Sequence, residues 1–343
     1  MLKLYTNKTF LNETHRNRVF PLLFDLFYLK NKNLASYYTV IDNVNDCDIV
    51  VFPINYSYFL KYREAFNQLN KAAKVNKKPI WLYSSGDYGF TVYIPNSYNF
   101  RLGGLNSKLD DNTIVIPSFI TNPYQSNLKQ QFTIIEKTNI PSIGFVGHAQ
   151  GGLLKYVNEY LSFIKVNFNR KLKQKKIDFQ PFYPSSIKRK KYLDLLAASN
   201  KIKTQFVLRS KYRAGVKTIE EKQKTTQEFY QNIFDNLYTF CIRGVGNFSV
   251  RFYETLAVGR IPILLNTDCR LPLSGIINWE KHCVILDTTK KVSLEEQILK
   301  FHNSKSEIEF EDIQKNNRNL WKTYLKRESF FIKIHNKFKK VKS

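Results

Sequence analysis

Short apolar runs alternate along this chain with longer stretches whose apolar residues recur every three or four positions. The first pattern predicts buried strands and the second predicts helices. Residues 2–5 open with a strand, and residues 20–29 have helical spacing. Residues 47–53 form a continuous apolar run that ends at Pro53. Residues 56–75 predict an amphipathic helix with Phe59, Leu60, Phe66 and Leu69 on its apolar side. Residues 78–87 give a further strand and a small-residue loop, and residues 114–117 another strand. After Asn139-Ile140-Pro141 a second series begins: a strand over 142–149, a glycine loop ending at Gly151-Gly152, then a helix. Strands follow over 205–209, 237–241, 261–265 and 283–286, with helices over 226–237 and 292–301 and a long basic, aromatic-bearing helical tail over 308–339. The basic segment 170–191 is expected to be solvated, and Pro181-Phe182-Tyr183-Pro184 interrupts any helix there. Strand–helix alternation of this kind predicts an α/β protein with mostly parallel sheets. The break near 140 predicts one domain over 1–140 and a second over 141–307.

Local cues concentrate in residues 241–262. A β-forming run leads into Gly244 and Gly246, Asn247 or Ser249 can cap the helix that follows, Gly259 can stop it, and Ile261-Pro262-Ile263-Leu264-Leu265 resumes as a strand. Phe248, Phe252, Thr255 and Leu256 share a core-facing stripe, with Asn247, Arg251, Glu254 and Val258 on the neighbouring one. A glycine turn entering a helix N-terminus suits a phosphate, and Arg243 and Arg251 can add charge-assisted hydrogen bonds to it. Glu254, three residues after Arg251, can pair with that arginine or accept hydrogen bonds from a ribose. A core helix with a surface Arg–Glu pair fits the same residues.

Composition narrows the classes. A hydrophobic content of 43% with 15% aromatics supports packed cores rather than disorder. The net charge of +26 points to an anionic partner, whether nucleic acid, an anionic membrane surface or an acidic substrate. No helix-turn-helix, zinc or RNA-binding signature accompanies it, which argues against nucleic acid. Four cysteines without metal-type spacing read as thiols of a reducing compartment. With no signal-like N-terminus and no apolar span, a cytoplasmic protein is expected. Ligands of open α/β sheets bind beyond the C-terminal ends of the strands. That rule selects residues 84–87, 147–152, Arg209, 243–247 and 266–268.

The run from Arg243 through Pro262, followed by Asn266-Thr267-Asp268-Cys269 and Leu271-Pro272, closely resembles the exostosin-like glycosyltransferases of family 47, in their bacterial form. Ile277-Asn278-Trp279 resembles the family's Ile-Asp-Trp, with Asn in place of Asp. Asp48-Ile49-Val50-Val51-Phe52-Pro53, Ser142-Ile143-Gly144-Phe145-Val146-Gly147, Phe206-Val207-Leu208-Arg209 and the segment 315–321 resemble other family elements more weakly. The family's Gly-Arg-Asp-His-like turn is absent, and Ser85-Gly86-Asp87 is the nearest comparable loop.

The resemblance implies a GT-B fold, with two Rossmann-like domains facing a central cleft and the terminal helix 308–339 crossing back to the first. It implies an inverting transfer from a nucleotide-sugar, in most members a UDP-sugar, to a saccharide or lipid-linked saccharide acceptor. The setting would be the biosynthesis of surface polysaccharide or lipopolysaccharide, and the excess positive charge would hold the protein peripherally on the anionic cytoplasmic membrane face. The nucleotide-sugar is then a substrate, and neither a cofactor nor an essential metal is expected. Arg209, Arg243, Gly246, Asn247, Phe248, Ser249 and Arg251 are the residues expected at the donor diphosphate, with Glu254 on the ribose. His148 is expected to line the donor site, and Asp268 to touch the donor sugar or cap its loop. Arg213 is a further phosphate candidate, and Asp87 is the candidate base. The competing function is a non-catalytic carbohydrate- or nucleic-acid-binding protein.

Overall fold

The computed structural model describes residues 1–340, without the side chains of residues 212, 213 and 340, so the Arg213 side chain lies outside the described residues. Six parallel strands build the first sheet: β1 (Leu2–Tyr5), β2 (Tyr38–Ile41), β3 (Ile49–Val51), β4 (Ile80–Ser84), β5 (Ser97–Arg101) and β6 (Thr113–Val115), in the order β2-β1-β3-β4-β5-β6. Five parallel strands build the second: β7 (Ser142–His148), β8 (Lys203–Arg209), β9 (Tyr238–Cys241), β10 (Ile261–Leu265) and β11 (Val284–Leu286), in the order β11-β10-β9-β7-β8. The central strands read as apolar runs because a parallel sheet is covered on both faces. Every residue of β3, β9 and β10 is buried.

Pro262 sits inside β10 without breaking it. Ile261 N–H donates to the Leu237 carbonyl on the β9 side, so the next residue faces β11, whose ladder begins only at Ile263. The missing N–H of Pro262 therefore has no ladder bond to lose.

Three departures from the hydropathy pattern are informative. The hydropathy pattern does not mark strand β5, which carries Ser97, Asn99 and Arg101, all buried. Ser97 donates to the Ile94 carbonyl at 2.7 Å and the Asn99 amide to the Phe90 carbonyl at 2.7 Å, while Asn99 Oδ1 has no partner. The expected helix over 56–75 is two helices, Tyr56–Phe59 and Arg63–Val75. The segment 170–191 is more ordered than expected: the helix Leu153–Lys171 runs into it, and the helix Ser185–Ala197 resumes after the proline pair.

The tail is also divided. Glu307–Leu320 packs Phe310 and Ile313 into the second core. A π-helical turn, Trp321–Leu325, and the extended Lys326 then redirect the chain. Only Arg327–Lys340 reaches the first domain, where Phe330, Phe331, Ile334 and Phe338 join its core. Phe331 is fully buried near Phe20, Phe100 and Phe119. Phe331→Ala should cost about 3–5 kcal/mol in chemical denaturation, as for a buried aromatic whose site cannot collapse. A loss near zero would show that the tail does not hold the first domain.

Candidate functional site

The C-terminal ends of both sheets open on a cleft of about 1050 Å³. The loop after β4 supplies Asp87 and Tyr88, β7 supplies Val146, Gly147 and His148, and β8 supplies Arg209. The turn after β9 supplies Gly244, Gly246, Phe248 and Ser249, and the helix behind it Arg251 and Glu254. That helix spans Val250–Val258 with Ser249 at its N-cap, and Ser249 makes no side-chain capping bond. It ends at Gly259 with φ 84°, a left-handed conformation in which a Cβ would also lie 2.5 Å from Phe132.

Arg251 is the best-seated cation of the cleft. Its guanidinium lies 4.0 Å from the Phe145 ring centroid and donates to the Val146 carbonyl at 2.7 Å, while its Nε has no partner. Gly147 leaves it room, since a Cβ there would lie 2.8 Å from Arg251 Nη2. Arg189, from the helix Ser185–Ala197, donates to the carbonyls of His148 at 2.6 Å and Arg243 at 3.2 Å, again with an unpartnered Nε. Burial and the neighbouring Arg251 charge push Arg189 down to about 10. The two guanidiniums hydrogen-bond to carbonyls, with Glu159 near Arg189 and Glu254 near Arg251, and their shared positive charge favours an anion in the cleft. Burial, Lys155 and Arg189 also lower the affinity of His148 for a proton.

Glu254 faces the same cleft. Tyr230 donates to its Oε1 at 3.4 Å, and burial, opposed by Arg251 and Tyr230, pushes the carboxyl up to about 7. Arg209 forms an ion pair with Glu228 at the cleft edge.

Three residues expected at the donor are engaged elsewhere in this structure. Asn247 is buried behind the cleft, where its amide donates to the carbonyls of Gly104 (2.9 Å), Thr267 (3.0 Å) and Asp268 (2.8 Å) and accepts from the Thr267 hydroxyl at 2.7 Å. The bond to Gly104 reaches the first domain, and the other three hold the loop after β10 in its own domain. Asp268, at φ 61°, turns its carboxylate to the Ser107 N–H and hydroxyl, so it grips the first domain rather than a sugar. Arg243 is 4% exposed, donates to Gln180 Oε1 at 2.8 Å and the Val245 carbonyl at 2.9 Å, and stacks over Tyr183 at 4.7 Å. It shapes the cleft wall from behind.

Asp87 is exposed at the cleft on a loop that is firmly held. The fully buried Arg101 donates to the Tyr88 and Gly103 carbonyls, at 2.7 and 2.6 Å, and pairs with Asp178 at 2.7 Å. Asp178 in turn accepts from the Thr91 N–H and hydroxyl, each at 2.8 Å. Across the cleft, a Cβ on Gly246 would lie 2.3 Å from the Asp87 carbonyl oxygen. Glycine is needed there because the two loops touch. Arg189, Arg101 and Asp178 carry no local motif. The chain pattern around Arg189 read as a solvated basic segment, and only tertiary contacts distinguish it.

Among the described residues, no three His, Cys, Asp or Glu side chains converge to hold a metal, and no helix is long and apolar enough to cross a membrane. The two parallel sheets facing a ligand-sized cleft, with a closing helix on the first domain, form the GT-B architecture. No family model matches the chain. Over 109 residues, 30% of its length, it is 28% identical to the exostosin-1 homolog of Caenorhabditis elegans, and the match spans 28% of that protein. Similar solved structures include TarM (10% identity, TM-score 0.36, 92% of this chain and 58% of that one). HepE of Anabaena, solved in complex with UDP-glucose, aligns at 9% identity and TM-score 0.35 over 99% of both chains. The UDP-GlcNAc 2-epimerase from Methanocaldococcus jannaschii aligns at 11% identity and TM-score 0.27 over 97% of this chain and 98% of that one. Scores of this size transfer no chemistry to this chain, and the architecture is read from its own sheets.

The Glu254 carboxyl gives a pH signature. Its folded value near 7 lies above its ordinary value of 4.5, so its contribution to stability is complete below about pH 4.5 and is lost as pH rises through 7. Wild type should lose up to about 3 kcal/mol across that window relative to Glu254→Gln. Parallel stability–pH curves for the two proteins would contradict this.

Proposed function

We propose that this chain is an inverting glycosyltransferase of the exostosin-like type, moving a sugar from a nucleotide-sugar, a UDP-sugar by preference, to a saccharide or lipid-linked saccharide acceptor. The observation that carries the reading is the convergence of Arg251, Arg189, the helix start at Ser249–Val250 and Glu254 on one wall of the cleft, opposite the loop bearing Asp87. The partial match to an exostosin-1 homolog supports the same direction.

In this reading the donor diphosphate lies against Arg251, Arg189 and the helix N-terminus, and Glu254 accepts from the ribose hydroxyls. Asp87 takes the proton of the acceptor hydroxyl as its oxygen bonds to the anomeric carbon. The bond from that carbon to the diphosphate breaks on the opposite face, inverting the centre. The electron pair leaves on the diphosphate, whose growing charge the guanidiniums and helix dipole stabilise. The cationic side chains around His148 suit a dianion.

A thermal-shift screen across UDP-, GDP-, CMP- and dTDP-sugars should give stabilisation by one nucleotide class, growing with concentration. Arg251→Ala should weaken that shift and reduce turnover by about 10²-fold or more. Asp87→Asn should leave donor binding intact while lowering kcat by about 10²–10⁴-fold. The reading fails if no nucleotide-sugar stabilises the protein, and the base assignment fails if Asp87→Asn turns over normally.

A further inference from the structure

The helix Leu153–Lys171 exposes a long apolar stripe. Its cleft side carries Lys155, Glu159, Ser162 and Phe163, and Tyr156, Tyr160 and Phe163 pack on Phe182. Its apolar stripe faces outward: Leu154 is 83% exposed, Leu161 57% and Phe168 59%, with Val157 and Ile164 exposed between them. These five recur at intervals of three, four, three and four, which makes one continuous ridge along a helix of about 28 Å. None of the helix's 19 residues is buried. A soluble domain normally turns such a stripe into its core, and exposed apolar surface of this extent marks an interaction site.

Charge identifies what covers it. The ridge runs directly into Lys171, Lys173, Lys175 and Lys176, all exposed, on a chain of net charge +26. Two copies meeting on this face would bring two strongly positive chains together. An anionic lipid surface instead offers hydrocarbon to the ridge and headgroup phosphates to the lysines. No helix among the described residues can cross a bilayer, so this one would lie in the plane of the interface.

We propose that the outer face of Leu153–Lys171, with the lysines that follow it, is a docking surface for an anionic lipid bilayer. The inner face of the same helix is a wall of the cleft, so docking brings the cleft to the lipid surface. The docking is independent of which reaction the cleft performs.

Co-sedimentation of the full chain with vesicles of phosphatidylcholine, with and without phosphatidylglycerol, tests this. Binding is expected only with phosphatidylglycerol present, and it should weaken with salt. The Leu154→Ser/Leu161→Ser/Phe168→Ser variant should bind roughly tenfold or more weakly with an unchanged melting temperature, since these side chains are exposed. Replacing Lys171, Lys173, Lys175 and Lys176 by Gln should also weaken binding. Absence of wild-type binding to the anionic vesicles overturns the proposal, as does wild-type-like binding by the serine variant. A dimer in light scattering that the serine variant abolishes without changing vesicle binding assigns the ridge to a second copy and equally overturns it.

Discussion

The cleft depends on how the Arg251 guanidinium is held. It lies on the face of Phe145 and gives one N–H to the Val146 carbonyl. A guanidinium cannot lose its proton at physiological pH, so burying it commits the protein to a fixed positive charge. Here that charge is oriented by a carbonyl dipole and an aromatic quadrupole, neither of which neutralises it. Arg189 is treated the same way a short distance off, with the His148 and Arg243 carbonyls as its acceptors. The result is a cleft wall whose positive charge is held in place by fixed acceptors. Such a wall gains most from an anionic ligand and acts most strongly on charge that develops against it.

That wall would be of little use without a second one at fixed distance, and the domain contacts set the distance. Asn247, Asp268 and Arg270 bind backbone and side-chain groups of residues 104–110, including Arg270 to the carbonyls of Leu109 and Asp110 at 2.7 Å each. Arg101 and Asp178 fix the loop that carries Asp87 from the other side. Gly246 lets the two loops meet without a side chain between them. The same residues that looked like ligand contacts are thus partly the scaffold of the cleft. Turn residues that bind backbone carbonyls and turn residues that bind phosphates share a chemistry, so local sequence does not separate the two uses.

The helix break at residues 321–326 serves the same geometry. Glu307–Leu320 belongs to the second core, and the reoriented Arg327–Lys340 inserts four apolar side chains into the first. One segment is therefore shared between two cores, and relative motion of the domains must bend the chain at that break.

Most strands and helices were legible in the sequence because parallel strands buried on both faces must be apolar throughout, and covering helices must be apolar on one stripe; β2 and the helix Ser185–Ala197 were not. The helix from 250 to 258 was legible for a stricter reason: glycine is required at Gly259 by a left-handed backbone. Arg251 and Glu254 were also found there, since helical spacing places both on the stripe beside the core. Strand β5 was not legible, because its buried Ser97, Asn99 and Arg101 find their hydrogen bonds only in loops folded against them. Arg189 was hidden in a basic segment. The direction of the 153–171 helix was hidden too, since a periodic apolar stripe does not state whether core or solvent lies against it. Local pattern specifies most of the elements and the chemistry available at their ends. Which polar groups are consumed within the scaffold and which are left facing the cleft depends on the packed fold, because hydrogen-bond saturation depends on neighbours distant in the chain.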